Sequence, residues 1–242
     1  DAVRFVNTAS TPATLHVLAT RPVARESDGL PGQVTLLRMH DGLPELTVSL
    51  TVSGSAVPGE HYTVLPMIVT FATGKDAVAI PIVPIPDDLA QGDRSVHVKV
   101  EPVEGYEIVP AGGVAVTVQD KPEHAWRFFY FQDQGLENAT ASEESGDPDG
   151  DGWSNRHERY FGTEPRTDSH GSVRTPRLVF REMDNQPQAG LAWHSDGQAG
   201  DLVATAEYTT DLSASSWAPL PGRSETTSWD PADGSRQWRH WF

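Results

Sequence analysis

The chain has 242 residues, more than one small domain usually needs, so we expect at least two structural units. Its 21 Gly and 19 Pro interrupt the chain too often for long helices, which argues against all-helical and doubly wound α/β folds. The net charge of −16 disfavours nucleic acids and anionic membranes as partners and favours cations. The sequence has no cysteine for disulfides and no apolar run long enough for membrane insertion.

The N-terminal extension, residues 1–21, contains two short strand-like pieces at 3–6 and 15–19. Such pieces either add a strand to the chain's own sheet or pair with the sheet edge of a neighbouring copy. The first option is favoured because it costs no association entropy. The second would produce a filament-forming surface protein built from repeated heterologous contacts.

Residues 22–121 show the period-two pattern of a β-sandwich. The pattern is clearest at 46–52, where apolar and hydroxyl residues alternate as in a half-buried strand. Pro81, Pro84 and Pro86 place one strand at an edge or a bulge, because proline has no N–H to donate. The other predicted strands are separated by turn residues and lie at 33–39, 67–71, 78–85, 95–100 and 114–118.

Several motifs in this region occur in the order and spacing of one known family. They are residues 46–52, Gly54-Ser55-Ala56-Val57-Pro58-Gly59-Glu60-His61-Tyr62, Val69-Thr70-Phe71 with Gly74, residues 82–88 and residues 116–120. In these motifs the region resembles the Calx-beta domain. The resemblance implies an immunoglobulin-like antiparallel β-sandwich of about 100 residues.

The same resemblance implies a second, weaker metal site at one end of the sandwich, where members of the family bind calcium through acidic residues. His61, Gln91 and Arg94 stand at positions where acids are expected. We therefore expect no Ca²⁺ at this end, or one weakly held ion, and His61 is expected at the surface. The acidic residues that are retained there are Glu26, Asp87, Asp88 and Asp120.

Residues 122–170 differ from the flanking regions in composition. An aromatic-rich stretch without Gly or Pro at 123–134 predicts a short buried helix, and the small polar residues at 134–144 predict a surface connection. A second short helix is predicted from a Ser154 cap to Phe161, with Gly162 at its left-handed end. We interpret this region as a helical linker.

Within this linker, residues 147–158 have the oxygen-ligand spacing of an EF-hand-type loop. Carboxylates occupy positions 1, 3 and 5, a glycine follows at 6, an amide stands at 9 and a glutamate at 12. The alternative is an ordinary acidic turn, since Asp, Gly and Asn also form turns. The predicted Ca²⁺ ligands are Asp147, Asp149, Asp151, the carbonyl of Trp153, Asn155 and Glu158.

The stretch 126–165, with Asp-Pro-Asp-Gly-Asp-Gly-Trp-Ser-Asn at its centre, is similar to the calcium-loop segments of dockerin-like and thrombospondin type 3-like repeats in secreted bacterial proteins. Those families carry the loop in pairs or in series, whereas this chain carries it once. A cohesin partner is therefore not implied.

Residues 171–242 are expected to form a second, smaller β module, with strands at 177–181, 190–194, 202–208 and 237–242. The module resembles, more weakly, small β modules of secreted bacterial proteins through Glu207-Tyr208-Thr209-Thr210-Asp211-Leu212 and Ser216-Trp217. Its tryptophans fill the core or stack on sugar rings, and core packing is favoured because a domain of this size needs large side chains inside. These tryptophans are Trp193, Trp217, Trp229, Trp238 and Trp241.

The sequence predicts a calcium-binding protein and not an enzyme, because neither Gly-x-Ser-x-Gly nor His-Glu-x-x-His occurs. Our leading hypothesis is an extracellular or cell-surface bacterial protein of structural or adhesive type, in which Ca²⁺ rigidifies the interdomain linker. Its expected partners are Ca²⁺, with copies of itself in a surface filament, other surface proteins or glycans as further options. The alternative is a non-catalytic, anchoring or carbohydrate-binding part of a secreted hydrolase.

Overall fold

The computed structural model describes residues 13–39, 43–132, 139–208, 217–230 and 232–241. The chain divides into two compact units, residues 1–125 and 126–242. It is 44% strand and 11% helix, so the predicted mainly-β class is confirmed. None of the helices in these ranges has the length and apolar character needed to cross a membrane.

The first unit contains nine strands in the described residues. They are β1 (Ala13–Arg21), β2 (Val23–Arg25), β3 (Gly32–Met39), β4 (Leu46–Ser53), β5 (Ile68–Phe71), β6 (Ala77–Ile82), β7 (Arg94–Val100), β8 (Tyr106–Val109) and β9 (Val114–Gln119).

These strands form a β-sandwich with one hydrophobic core. One sheet has the order β6-β3-β1-β8 and the other the order β2-β9-β7-β4-β5. Val17 and Leu36 of the first sheet share the core with Phe71 and Val98 of the second, and all four side chains are fully buried. The predicted sandwich is confirmed, with the addition that β1–β8 and β2–β9 are parallel pairs.

The alternation in the sequence decides which face of each strand is buried. In β4, Val48 and Leu50 are buried, whereas Thr47 is exposed and its hydroxyl lies 3.0 Å from that of Thr70 on β5. The predicted proline-rich strand is an edge, because β6 pairs only with β3 among the described residues. It ends at Ile82 and not at residue 85.

The N-terminal segment takes part in both sheets. β1 lies between β3 and β8, so the strand-like piece at 15–19 pairs within its own sandwich, as the favoured option predicted. The chain then passes Pro22, whose carbonyl accepts a hydrogen bond from the N–H of Thr117 at 2.8 Å, and enters the other sheet as β2. The predicted piece at 3–6 lies outside the described residues.

Three short helices follow the sandwich: α1 (Pro122–Phe131), α2 (Ala139–Ser142) and α3 (Asn155–Phe161). The predicted helix at 123–134 is present, but it is buried only in part, since Phe131 is buried and Phe129 is 71% exposed. The prediction of a plain surface connection at 134–144 is wrong at its end, where α2 forms and the Ser142 side chain is buried.

The second unit carries a four-stranded antiparallel sheet and a two-stranded ribbon. The sheet has the order β10-β11-β15-β14, and the ribbon pairs β12 with β13. The predicted strand at 202–208 is strand only at its last two residues, and β13 and β14 were not predicted. The strands are β10 (Arg177–Met183), β11 (Gln186–Ser195), β12 (Glu207–Tyr208), β13 (Ala218–Pro219), β14 (Arg223–Trp229) and β15 (Arg236–Trp241).

Helix α3 packs against this sheet inside the second unit. The carbonyl of Tyr160 accepts a hydrogen bond from the N–H of Asp196 at 2.7 Å. The Arg159 guanidinium, only 4% exposed, binds both carboxylate oxygens of Asp201 at 2.7 and 2.8 Å. Residues 126–170 of the segment predicted as a linker, 122–170, therefore share one compact unit with the C-terminal strands.

The tryptophans of the second unit differ in exposure. Trp193 and Trp241 are buried, as core packing requires, and the ring of Trp193 stacks on Trp238 with 6.4 Å between centroids. Trp217 is 53% exposed. The side chain of Trp229 lies outside the described residues.

Candidate metal centre

The loop at 147–158 is closed by its own first carboxylate. Asp147 accepts hydrogen bonds from the N–H groups of Gly150 and Gly152, both at 2.9 Å. The two glycines have φ of 76° and 87°, a left-handed conformation that strains other residues. The Asp-x-Asp-Gly-Asp-Gly sequence therefore folds as a tight turn with its carboxylates on the inside.

Three aspartates meet within this turn. Asp147, Asp149 and Asp151 each bring a carboxylate oxygen to within 4.8 Å of the other two. Asp151 is held in place, because it accepts hydrogen bonds from the N–H of Trp153 and from the N–H and hydroxyl of Ser169, all at 2.7 Å. The Oδ2 atom of Asp149 is buried and has no hydrogen-bond partner among the described residues.

Helix α3 brings two more oxygen-bearing side chains to the loop. Asn155 is 1% exposed, and its Nδ2 donates to the carbonyls of Ala141 and Glu143 at 2.7 and 2.6 Å, which fixes the direction of its amide. Glu158 has no exposed surface, and its Oε1 accepts a hydrogen bond from Thr163 at 3.2 Å. The Asn155 Oδ1 and Glu158 Oε2 atoms are buried without a partner in the described part of the chain.

The charges of the loop shift the pKa values of its carboxyl groups. Burial, the largest cause, and the nearby charge of Asp149 together raise the pKa of Glu158 to about 8. Burial also raises the pKa of Asp149. For Asp151 burial acts in the same sense, but the hydrogen bonds from Ser169 and Trp153 outweigh it and lower its pKa.

These observations fit a bound cation. Three buried oxygens, on Asp149, Asn155 and Glu158, lack a hydrogen-bond donor in the described structure, and such groups are costly unless an ion or donor binds them. Carboxylate and amide oxygens are the ligands that Ca²⁺ prefers. A Ca²⁺ ion at this position would give the orphaned oxygens a partner and offset part of the negative charge of the three aspartates.

The structure adds contacts that the sequence pattern did not reveal. Ser169 and Thr163 hold two of the predicted ligands, and both lie beyond the loop, where no spacing rule points to them. Ser154 precedes α3 as predicted, but it makes no side-chain cap hydrogen bond, because its hydroxyl lies 2.9 Å from Nδ1 of His157. Gly162 ends the helix with φ of 71°, as predicted.

A second acidic group shares Asp151 with the loop. Asp168 and His170 bring ligand atoms to within 4.8 Å of Asp151 and of each other. Both side chains are more than two-thirds exposed and bind each other at 3.1 Å. Since Asp151 Oδ2 already accepts two hydrogen bonds from Ser169, this group shows no unsatisfied buried oxygen in the described structure.

The acids at the end of the sandwich are largely bound to protein donors. Asp120 accepts from the N–H groups of Gln91 and Gly92 at 3.0 and 2.9 Å, and Asp87 accepts from Leu89 and from the Gln91 side chain. Asp88 is 96% exposed and pairs with Lys121 at 2.8 Å, which lowers the pKa of Asp88. In the described residues these acids do not form a group of three with ligand atoms within 4.8 Å.

Glu26 and His61 complete this end. Glu26 is 8% exposed, its Oε2 has no partner in the described structure, and burial together with the charge of Asp120 raises its pKa. His61 is buried, not exposed as expected: its Nδ1 accepts from the N–H of Val57 and its Nε2 contacts Oε1 of Gln91. The glutamine thus links the histidine to Asp87.

Comparisons with known proteins give partial likenesses. No protein-family model matches the sequence, and no curated protein matches it. The apo form of the Calx CBD1 domain is 19% identical, with a TM-score of 0.40 over 46% of this chain and 99% of that one. The Calx CBD2 domain is 11% identical, with a TM-score of 0.36 over 50% and 95%. The calcium binding domain CBD12 of CALX1.1 is 20% identical, with a TM-score of 0.37, and the match covers 46% of this chain and 45% of that one.

Proposed function

We propose that this chain is a calcium-binding module of an extracellular structural or adhesive protein, with Ca²⁺ bound by the loop at 147–158. The observation that carries the proposal is Glu158, a fully buried carboxylate beside three aspartates with one oxygen unpartnered in the described structure. The first ligands are the three aspartates, and Asn155 and Glu158 close the site from α3.

The bound ion would order the second unit. Asn155 is tied to the carbonyls of Ala141 and Glu143, and Arg159 is tied to Asp201. The ion would therefore connect the loop to α2, to α3 and, through Arg159, to the turn that precedes residue 202. The hypothesis therefore changes in one respect. Ca²⁺ stiffens the second unit directly, and it affects the interdomain linker only through the part of the linker that belongs to this unit.

The strength of the site follows from its class. Extracellular calcium modules bind with dissociation constants of about 10⁻⁴ to 10⁻³ M, and sensor loops with about 10⁻⁷ to 10⁻⁵ M. With free Ca²⁺ near 1 mM and a dissociation constant of about 10⁻⁵ to 10⁻⁴ M, binding to the native state alone stabilises it by about 1.4 to 2.7 kcal/mol.

Calorimetric titration with Ca²⁺ tests the proposal. The wild-type protein should bind with one dominant site, and binding should be lost in the double variant Asp149→Ala/Asp151→Ala. Glu158→Gln is the sharper variant, because it removes the charged ligand while imitating the protonated side chain that the metal-free loop holds. It should lose most of the affinity and still fold in the absence of Ca²⁺.

Asp184→Asn is a matched control, because it removes one carboxylate from the β10–β11 turn of the same unit. Asp184 has φ of 53°, a conformation that asparagine also tolerates. Its Ca²⁺ binding should equal that of the wild type. Unchanged binding in Glu158→Gln and in the double variant would contradict the proposed site.

The second candidate, a carbohydrate-binding part of a secreted hydrolase, is favoured by one observation. Trp217 exposes 53% of its surface beside the β12–β13 ribbon, and an exposed indole can stack on a sugar ring. A glycan array with the wild type and Trp217→Ala separates the candidates. Specific sugar binding lost in the variant would support this function, whereas no binding would count against it.

A further inference from the structure

The second unit contains a cleft that the calcium site does not use. Its volume is about 540 Å³, within the range of small-molecule sites, and its lining is mainly apolar and aromatic. One wall comes from α3, the floor from β11, and the other wall from residues 202–206. The principal lining residues are Arg156, His157, Tyr160, Leu191, Trp193 and Val203.

The charge of the lining is opposite to that of the protein. The chain carries a net charge of −16, yet the lining residues that the structure describes include Arg156 and no aspartate or glutamate. The Arg156 side chain is 62% exposed. Its Nε lies 3.9 Å from a carboxylate oxygen of Glu144, which is a long contact for an ion pair. A guanidinium at the mouth of an apolar cleft suits a ligand with an apolar body and an anionic group.

The cleft and the calcium loop share one helix. Arg156, His157 and Tyr160 lie on the face of α3 that lines the cleft, whereas Asn155 and Glu158 lie on the face that meets the loop. The placement of α3 therefore determines both the geometry of the loop and one wall of the cleft.

The other wall is attached to the same helix through an ion pair. Arg159 binds both oxygens of Asp201 and also Glu144 at 3.0 Å. Asp201 directly precedes the cleft-lining residues 202–206. Displacement of α3 would therefore move both walls of the cleft.

We propose that this cleft binds a small apolar organic anion and that Ca²⁺ in the loop strengthens this binding by fixing α3. The coupling rests on the proposed calcium function. Because coupling between two binding sites is reciprocal, the anion must also strengthen Ca²⁺ binding by the same factor.

Fluorescence titration with anilinonaphthalene sulfonate, an aromatic anion, tests the proposal. The wild type with saturating Ca²⁺ should bind one molecule per chain, and the affinity should fall about fivefold or more in EDTA. Val203→Glu places a carboxylate in the cleft at a side chain that is 91% exposed, so it should fold normally and weaken binding about tenfold. Val173→Glu is the matched control, since Val173 is 69% exposed in the same unit and does not line the cleft.

Phenylnaphthylamine, which lacks the sulfonate, tests the preference for an anion. Arg156→Gln should weaken binding of the sulfonate probe and leave that of the neutral probe unchanged. Equal affinity of Val203→Glu and the wild type, equal loss of both probes in Arg156→Gln, or multiple weak sites that increase in EDTA would each overturn the proposal.

Calorimetry of the wild type without probe keeps the two hypotheses apart. No Ca²⁺ binding there would contradict the proposed function, whereas Ca²⁺ binding without any effect on the probe would contradict the coupled cleft alone.

Discussion

A carboxyl group with no exposed surface beside three aspartates holds its charge only if a cation compensates it. Glu158 is such a group, and without a cation its pKa of about 8 keeps it protonated at neutral pH. The proton and the ion therefore compete for one oxygen cluster. At the scale of single residues, this competition makes the stability of the metal-free protein depend on pH.

In EDTA, we expect the free energy of unfolding to fall as the pH rises through the window between 4.5 and about 8. The pKa of Glu158 is raised in the folded state, so the folded protein binds the proton more tightly than the unfolded chain does. The stability advantage that this gives is complete below the unfolded pKa. That advantage is lost as the pH passes the folded pKa. Urea unfolding of the wild type and Glu158→Gln at a series of pH values measures the effect.

The glutamine variant isolates this residue, because all other titrating groups are the same in both proteins. Glu158→Gln should therefore show a smaller loss of stability toward pH 8 than the wild type. Saturating Ca²⁺ should restore the free energy of unfolding of the wild type at high pH and leave that of the variant unchanged. Parallel pH profiles for the two proteins in EDTA would show that Glu158 does not titrate in this window.

At the scale of elements, α3 is held by an ion pair that is far less exposed than the surface pairs of the chain. Arg159 is 4% and Asp201 35% exposed, whereas Arg25 and Asp28 are 43% and 51% exposed. Charged hydrogen bonds away from water are worth more than exposed pairs, which contribute about 0 to 1 kcal/mol.

Arg159→Met should therefore destabilise the second unit by about 1.5 to 3 kcal/mol, because Asp201 and Glu144 lose their donor. Arg25→Met, which removes the exposed pair, should cost less than about 1 kcal/mol. Chemical unfolding followed by tryptophan fluorescence gives both values. Equal effects of the two substitutions would mean that the pair of Arg159 with Asp201 does not anchor α3.

The sequence predicted those elements whose side-chain pattern is strong. Strand β4 alternates apolar and hydroxyl residues, and the aspartate spacing of the loop matches its folded geometry. Strand β14, Arg-Ser-Glu-Thr-Thr-Ser-Trp, has no apolar alternation, and it forms because β15 offers it a hydrogen-bonding edge. Pairings of this kind, like the contact of Ser169 with Asp151, depend on tertiary structure that no local pattern encodes.

At the scale of the molecule, each of the two compact units buries apolar side chains of its own. The sandwich core of the first surrounds Val17 and Phe71, and Phe161, Trp193 and Trp241 are buried in the second. The loop that is proposed to bind Ca²⁺ lies in the second unit, and at the sandwich end of the first Asp87 and Asp120 are bound to protein donors. The ion should therefore act on one unit only.

Scanning calorimetry should show two transitions. Ca²⁺ at about 1 mM should raise the melting temperature of only the transition that belongs to residues 126–242, because binding adds about 1.4 to 2.7 kcal/mol to the free energy of unfolding of that unit. Asp149→Ala/Asp151→Ala should abolish this rise and leave the other transition unchanged. A Ca²⁺-dependent rise in the sandwich transition would instead demonstrate an ion at Glu26 and Asp120.

Self-association is a second expectation at this scale, and the structure restricts how it can be tested. β1 occupies the interior of its sheet, so a truncation that removes residues 13–20 would damage the sandwich. The residues to delete are 1–12. If an extension strand joins copies head to tail, light scattering at high concentration with Ca²⁺ should show oligomers for the full chain and monomers for the shortened one. Monomers in both cases would exclude the filament.

The passage of the chain from one sheet to the other at Pro22 has a mechanical consequence. β2 runs parallel to β9, the last strand of the sandwich, so tension applied across the unit pulls these neighbours in opposite directions along their length. Their hydrogen bonds, with that from Thr117 to Pro22, then carry the load together and are not peeled apart one at a time. Pulling single molecules from residue 22, at the start of β2, and from residue 121 should give one abrupt rupture, whereas gradual low-force extension would show that this pair bears no tension.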